Sequence, residues 1–97
     1  MATERPRFVG PVVSNTRVGE AAVRAIATDT GQEPFVENRG AYLRIQVPVR
    51  ARMTQASLAE ELGEEMPLAA FEQVMPSFAG HIKVSDQEIV WYLEERP

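Results

Sequence analysis

Over residues 41–47 the chain alternates strictly, with Ala41, Leu43, Ile45 and Val47 on one set of positions and Tyr42, Arg44 and Gln46 on the other. A period of two marks a strand whose side chains point to opposite faces, one buried and one toward solvent. Such a strand does not stand alone: it needs neighbours in a sheet and a second layer over its apolar face. Pro48 cannot donate to a ladder, so it marks an edge or a hairpin turn. Residues 50–54 are then expected to return as the next strand, with Ala51 and Met53 on one side.

The flanking sequence supplies the rest of that fold. Residues 8–13, with Val9, Val12 and Val13, read as a short first strand. Ser14-Asn15-Thr16 offers cap chemistry, and Ala22, Val23, Ile26 and Ala27 fall on one face of a helix expected over 17–28, stopped by Asp29-Thr30-Gly31. Residues 34–37 start a second extended stretch, and Asn38-Arg39-Gly40 reads as a turn or bulge. Ser57-Leu58-Ala59-Glu60 fits a capping box, with Leu58 and Leu62 inside and Gly63 closing a helix of fewer than two turns. Pro67 opens another short helix at its favoured first position, turning Leu68 and Phe71 inward. Residues 74–80 are apolar but rich in breakers. Residues 81–85 and 88–94 form a last hairpin around Ser85-Asp86-Gln87, with Ile82 and Val84 facing Ile89, Trp91 and Leu93. The order β-α-β-β-α-α-β-β predicts an α+β fold: one compact domain of mostly antiparallel sheet with short helices packed on it. A chain of 97 residues supports a single core and buries roughly 60–65% of its unfolded surface, too little for a deep enclosed site.

Composition removes whole classes of function. There is no cysteine, hence no disulfide and no thiolate metal site. His81 is the only histidine, which rules out a His-pair metal site, and a lone histidine at a strand start reads as a partly exposed polar residue. Glu60, Glu61, Glu64 and Glu65 could in principle supply an acid–base pair, but they fall on a short amphipathic helix and its exit, where solvated charge is expected. The six glycines are scattered singly, with no phosphate-cradling loop. No catalytic, cofactor-binding or metal residue is assigned, and neither cofactor nor enzymatic activity is expected.

Charge is uneven along the chain. Residues 1–53 carry eight basic and five acidic side chains, residues 54–97 two and nine, for a net charge of −4. An acidic second half argues against nucleic acid, whose phosphates need clustered cations. It reads either as a solvated face or as steering toward a basic partner surface. Nine of the ten basic residues are arginine, which suits bidentate contacts and equally fits a GC-rich genome. The first residues lack the apolar stretch of a secretory signal and no run reaches membrane-spanning length, so a cytoplasmic protein with no membrane partner is expected.

Two segments exceed what folding alone asks of them. In Val36-Glu37-Asn38-Arg39-Gly40-Ala41-Tyr42 the plain reading is a turn entering a strand. In Pro76-Ser77-Phe78-Ala79-Gly80 the plain reading is Phe78 plugging the core. The alternative for the second is a presented apolar contact, since an aromatic ringed by small residues resembles an interface hot spot. The residues leave open a small ligand-binding or sensory domain, a carboxylate enzyme and a generic adaptor. Calorimetric response to small molecules, turnover by the isolated chain, and capture of an unrelated protein would respectively reveal these.

The same segments carry a family resemblance. Val36-Glu37-Asn38-Arg39-Gly40 followed by Tyr42 resembles the motif leading the central strand in effector (coupling, or regulatory) proteins of bacterial soluble methane, phenol and toluene monooxygenases. Ser57-Leu58-Ala59-Glu60-Glu61-Leu62-Gly63 resembles their short helix, and Ser77-Phe78-Ala79-Gly80 the loop before their final hairpin. Val9-Gly10-Pro11 is similar to the start of the toluene-type members, which handle aromatic hydrocarbons. The likeness spans residues 9–94, four motifs in register, and makes residues 1–97 one effector domain. It implies a non-catalytic, cofactor-free subunit that binds the catalytic subunit of a diiron hydroxylase, shifts the helices lining its active site, raises turnover and couples electron use to substrate oxidation. Function would be coupled to ferredoxin and reductase components, and the free chain is expected to be monomeric. The resemblance places Pro76, Ser77, Phe78, Ala79 and Gly80 against the hydroxylase, Ser77 and Phe78 foremost, with Asn38, Arg39 and Tyr42 next. Only seven residues precede Phe8, expected to be a short flexible segment (1–7), whereas methane-type members carry a long tail; the toluene or alkene branch is therefore expected.

Overall fold

A computed structural model describes residues 7–93. The expected flexible segment lies outside these apart from Arg7, as does Glu94 at the end of the last expected strand. The elements run β1 (Phe8–Ser14), α1 (Arg17–Thr30), β2 (Phe35–Asn38), β3 (Tyr42–Pro48), β4 (Arg50–Thr54), α2 (Gln55–Leu62), α3 (Leu68–Glu72), β5 (Ser77–Ala79), β6 (His81–Val84) and β7 (Glu88–Tyr92). They form an α+β domain with two sheets, ordered β2-β3-β1-β5 and β4-β7-β6, and every pairing is antiparallel.

The alternation over β3 does what its period dictates. Leu43, Ile45 and Val47 are buried, while Tyr42 and Arg44 are exposed and Gln46 half-buried. The expected hairpin from β3 to β4 does not form. Both edges of β3 are already occupied, by β1 and by β2, so β4 has no free edge there and pairs with β7. Val49 makes the switch at φ 71°. Its N–H donates to the Arg7 carbonyl at 2.9 Å, and its own carbonyl accepts from Leu93 N–H at 3.2 Å. A β-branched residue rarely holds a left-handed backbone, so this corner stores strain.

The helices close the core. In α1 the buried stripe is Ala21, Ala22, Ala25 and Ile26, rotated from the expected face, and Val23 and Ala27 sit at its margin. Helix α1 runs to Thr30, two residues beyond its expected end, because its last turn is bound to β4. Thr30 Oγ1 accepts from Arg52 N–H at 2.9 Å. Asp29 accepts from Thr54 N–H at 2.7 Å, Thr54 Oγ1 at 2.9 Å and Ser57 Oγ at 2.7 Å.

That carboxylate also explains why the expected capping box is displaced. Thr54, not Ser57, caps α2, accepting from Ser57 N–H at 3.1 Å, while the Ser57 hydroxyl is committed to Asp29. Helix α2 therefore has eight residues, just over two turns rather than fewer. Pro67 is the cap of α3 rather than its first residue, its carbonyl accepting from Ala70 and Phe71.

Trp91, the only tryptophan, is fully buried opposite Ala51 and Ile82. Its Nε1–H has no acceptor among the described residues. In the last hairpin, Ile82 pairs with Trp91 and Val84 with Ile89, as the pattern predicts.

Candidate functional site

The site is built on the outer face of the four-stranded sheet. Residues 76–80 do not form a loop: Ser77–Ala79 is a strand that adds to the free edge of β1, with Gly10 opposite Ala79, Pro11 opposite Phe78 and Val12 opposite Ser77. Backbone groups left in a loop here would need other partners, and the open edge of β1 supplies them. Phe78 does not plug the core. It is 41% exposed, which favours the presented-contact reading of this segment.

On the other side of β1, the turn before β3 is fixed locally. Asn38 Oδ1 accepts from Gly40 N–H at 2.8 Å, an Asx turn, and Arg39 N–H donates to the Tyr42 carbonyl at 2.8 Å. Gly40 sits at φ 81°, where a side chain would be strained. Asn15 pins the turn to β1, its side chain donating to the Gly40 carbonyl at 2.8 Å. Tyr42 emerges 43% exposed. Glu37 lies between two guanidinium groups, 3.3 Å from Arg39 and 3.8 Å from Arg44, all three about half-exposed. Such exposed pairs hold orientation more than they add stability.

The two segments therefore meet. Arg39, Tyr42, Arg44 and Gln46 on one side, and Ser77, Phe78 and Ala79 on the other, border an open hollow of about 510 Å³ floored by Gly10 and Val12. Of the expected contact residues, Arg39, Tyr42, Ser77, Phe78 and Ala79 are brought together. Pro76, Gly80 and Asn38 do not line the hollow. Asn38 is occupied by its turn. Gly80, at φ 93°, lies where an added Cβ would come 2.6 Å from Val9 Cγ1 and 2.9 Å from the Tyr92 carbonyl oxygen, so it is the close-packed junction between the two sheets. Arg44 and Gln46 were not singled out beforehand, although the outward set of the β3 alternation contains them. The edge strand β2 extends the same apolar character, with Phe35 61% exposed and stacked edge-on against Phe8 at 5.5 Å.

The chemistry offered is that of a contact surface: two exposed aromatic rings, two arginines held by one carboxylate, and small residues that admit close approach. Among the described residues no group of three or more His, Cys, Asp or Glu could hold a metal ion. Among the described residues, no helix is long and apolar enough to cross a membrane.

Comparison with known proteins gives this surface its context. The effector subunit of the alkene monooxygenase system of Xanthobacter autotrophicus is 40% identical over 86 residues, which cover 88% of this chain and 85% of that one. Among solved structures, a chain of a phenol hydroxylase–regulatory protein complex superposes with a TM-score of 0.78 at 18% identity, covering 91% of this chain and all of its own. Regulatory protein B of soluble methane monooxygenase superposes with a TM-score of 0.66 at 17% identity, over 97% of this chain and 70% of that one. At such identities the two structures establish the fold alone. Residues 7–92 match the MmoB/DmpM family as a whole, and with the 40% identical relative this establishes that the chain belongs to the MmoB/DmpM family.

Proposed function

We propose that this chain is the non-catalytic effector subunit of a multicomponent hydrocarbon monooxygenase, and that it docks on the diiron hydroxylase with the outer face of the four-stranded sheet. The observation that carries the reading is the meeting of two separately conspicuous segments, residues 36–42 and 76–80, across β1 at one open hollow. Ser77, Phe78 and Ala79 supply the apolar contact, Tyr42 and Arg39 the second side, and Pro76, Gly80 and Asn38 fix the backbone that presents them.

Docking acts by selection among hydroxylase states. A binder shifts a conformational equilibrium only through its differential affinity for the two forms, and about 1.4 kcal/mol changes their ratio tenfold. Reshaping of the hydroxylase active site, higher turnover and tighter coupling of electron use to oxidation follow from that preference, with no group of the effector taking part in chemistry. An interface of roughly 800 Å² per partner is within reach of a chain this small. Substrate choice resides in the hydroxylase pocket, the free effector is a monomer, and both partners work in the cytoplasm with ferredoxin and reductase components.

The test is reconstitution. Hydroxylase and electron-transfer components are assayed with and without the chain, and product formed is measured per reducing equivalent consumed. Added chain is expected to raise both rate and yield; equal rate and yield without it would refute the reading.

A further inference from the structure

A second hollow, of about 520 Å³, lies on the outer face of the three-stranded sheet, bordered by Val49, Arg50, Lys83, Tyr92 and Leu93. It shares no residue with the first. Its charge is unlike that of the rest of the chain. Among the described residues Arg17, Arg24, Arg39, Arg44 and Arg52 each have a carboxylate partner. Among these residues Arg7, Arg50 and Lys83 have none. Two of these border the hollow, and Arg7 is hydrogen-bonded through its carbonyl to Val49 beside it. Glu88, the one acid at the rim among the described residues, is already held by Arg52 at 2.5 Å. Among the described residues, two of the three cations with no carboxylate partner thus border one hollow, in a protein of net charge −4.

Val49 adds a second anomaly. It holds a left-handed backbone that disfavours β-branched residues, and it leaves its side chain 57% exposed. Neither feature stabilises the isolated chain, so the benefit is to be sought in a partner.

The two hollows are linked through β5 and β6. Ala79 closes the first, and two residues on, His81 pairs with Tyr92 of the second, their rings 5.5 Å apart. Two residues of extended chain span at most about 7 Å, so the edge of the first hollow lies that close to the strand pair that carries the second.

We infer that the hydroxylase seats an acidic segment in this second hollow, clamped by Arg50 and Lys83 and packed on Val49, so that the docking interface straddles both sheets across Gly80. The inference rests on the effector reading above and adds the chemistry of a second contact. Opposite charge across such a contact speeds association and fixes orientation, and it weakens with salt.

The experiment is a titration of hydroxylase with the full-length chain, its Arg50→Gln/Lys83→Gln double variant, and Val49→Gly, at low and high ionic strength. The double variant is expected to bind about tenfold more weakly at low salt, with the gap narrowing to about threefold or less at high salt. Val49→Gly should bind more weakly yet melt at a higher temperature, a pair of opposite signs that a merely structural residue would not give. Glu20→Gln, exposed on α1, should bind as the parent does. Parent-like binding by the double variant at every ionic strength overturns the inference and leaves the effector reading standing. Failure of the unmodified chain to bind hydroxylase at all removes both. Capture of the chain by phosphatidylserine vesicles, with hydroxylase affinity indifferent to Arg50 and Lys83, would reassign the hollow to a lipid surface and likewise overturn it.

Discussion

Replacing Phe78 with alanine separates docking from folding. The ring is 41% exposed in the free chain. Taking about 200 Å² for a phenylalanine side chain, about 80 Å² remains for a partner to cover. At about 25 cal/mol per Å² that area is worth about 2 kcal/mol, or about thirtyfold in affinity. Alanine keeps a methyl group, so a loss of about 10–30-fold is expected. Phe78 lies in the edge strand β5, opposite Pro11 of β1, and truncation there should lower the melting temperature without unfolding a domain whose margin is about 5–15 kcal/mol. Affinity is read by titrating the hydroxylase, and coupling by product per reducing equivalent at saturating effector; thermal unfolding is followed in parallel. Phe78→Leu should fall between the two. A Phe78→Ala chain that folds, binds within twofold of the parent and couples equally well would refute the assignment of β5 to the interface.

Other perturbations test the frame that holds this surface. Asp29→Ala strands three hydrogen-bond donors, including the Thr54 N–H; a loss of about 2–4 kcal/mol is expected in chemical denaturation, with Asp29→Asn losing less because an amide oxygen still accepts. Gly80→Ala forces a Cβ against Val9 and the Tyr92 carbonyl at φ 93°, and should destabilise by about 2 kcal/mol or more in the same assay. Asn38→Ala opens the Asx turn and should lower stability by about 1 kcal/mol, with Asn38→Asp recovering most of it; a loss of hydroxylase affinity at unchanged stability would instead make Asn38 a contact.

Local pattern carried most of the architecture. The period of β3, the glycine stops after α1 and α2, and the facing residues of the last hairpin are all decided within a few residues, and all appear in the structure. What failed was decided at a distance. Nothing in residues 48–54 says that both edges of β3 are taken, so β4 could not be seen to cross to β7. Ser57 has the right spacing for a cap, but Asp29, 28 residues earlier, takes its hydroxyl. Ser77–Ala79 is too short to announce itself as a strand and forms one because β1 has an edge to offer. The contact segments stood out as residues in excess of folding needs, whereas their meeting across β1 is a fact of topology. Arg44 and Gln46 were in plain view as the outward half of an alternation read for its inward half.

Trp91 has an optical consequence. As the sole indole in the chain, sealed from solvent and lacking an acceptor for its Nε1–H among the described residues, it is expected to emit at short wavelength. Quenchers dissolved in the buffer cannot reach it until the core opens. Its colour and lifetime are thus a gauge of the interior alone: steady through rigid attachment at the surface, and altered only when the packing around it gives way.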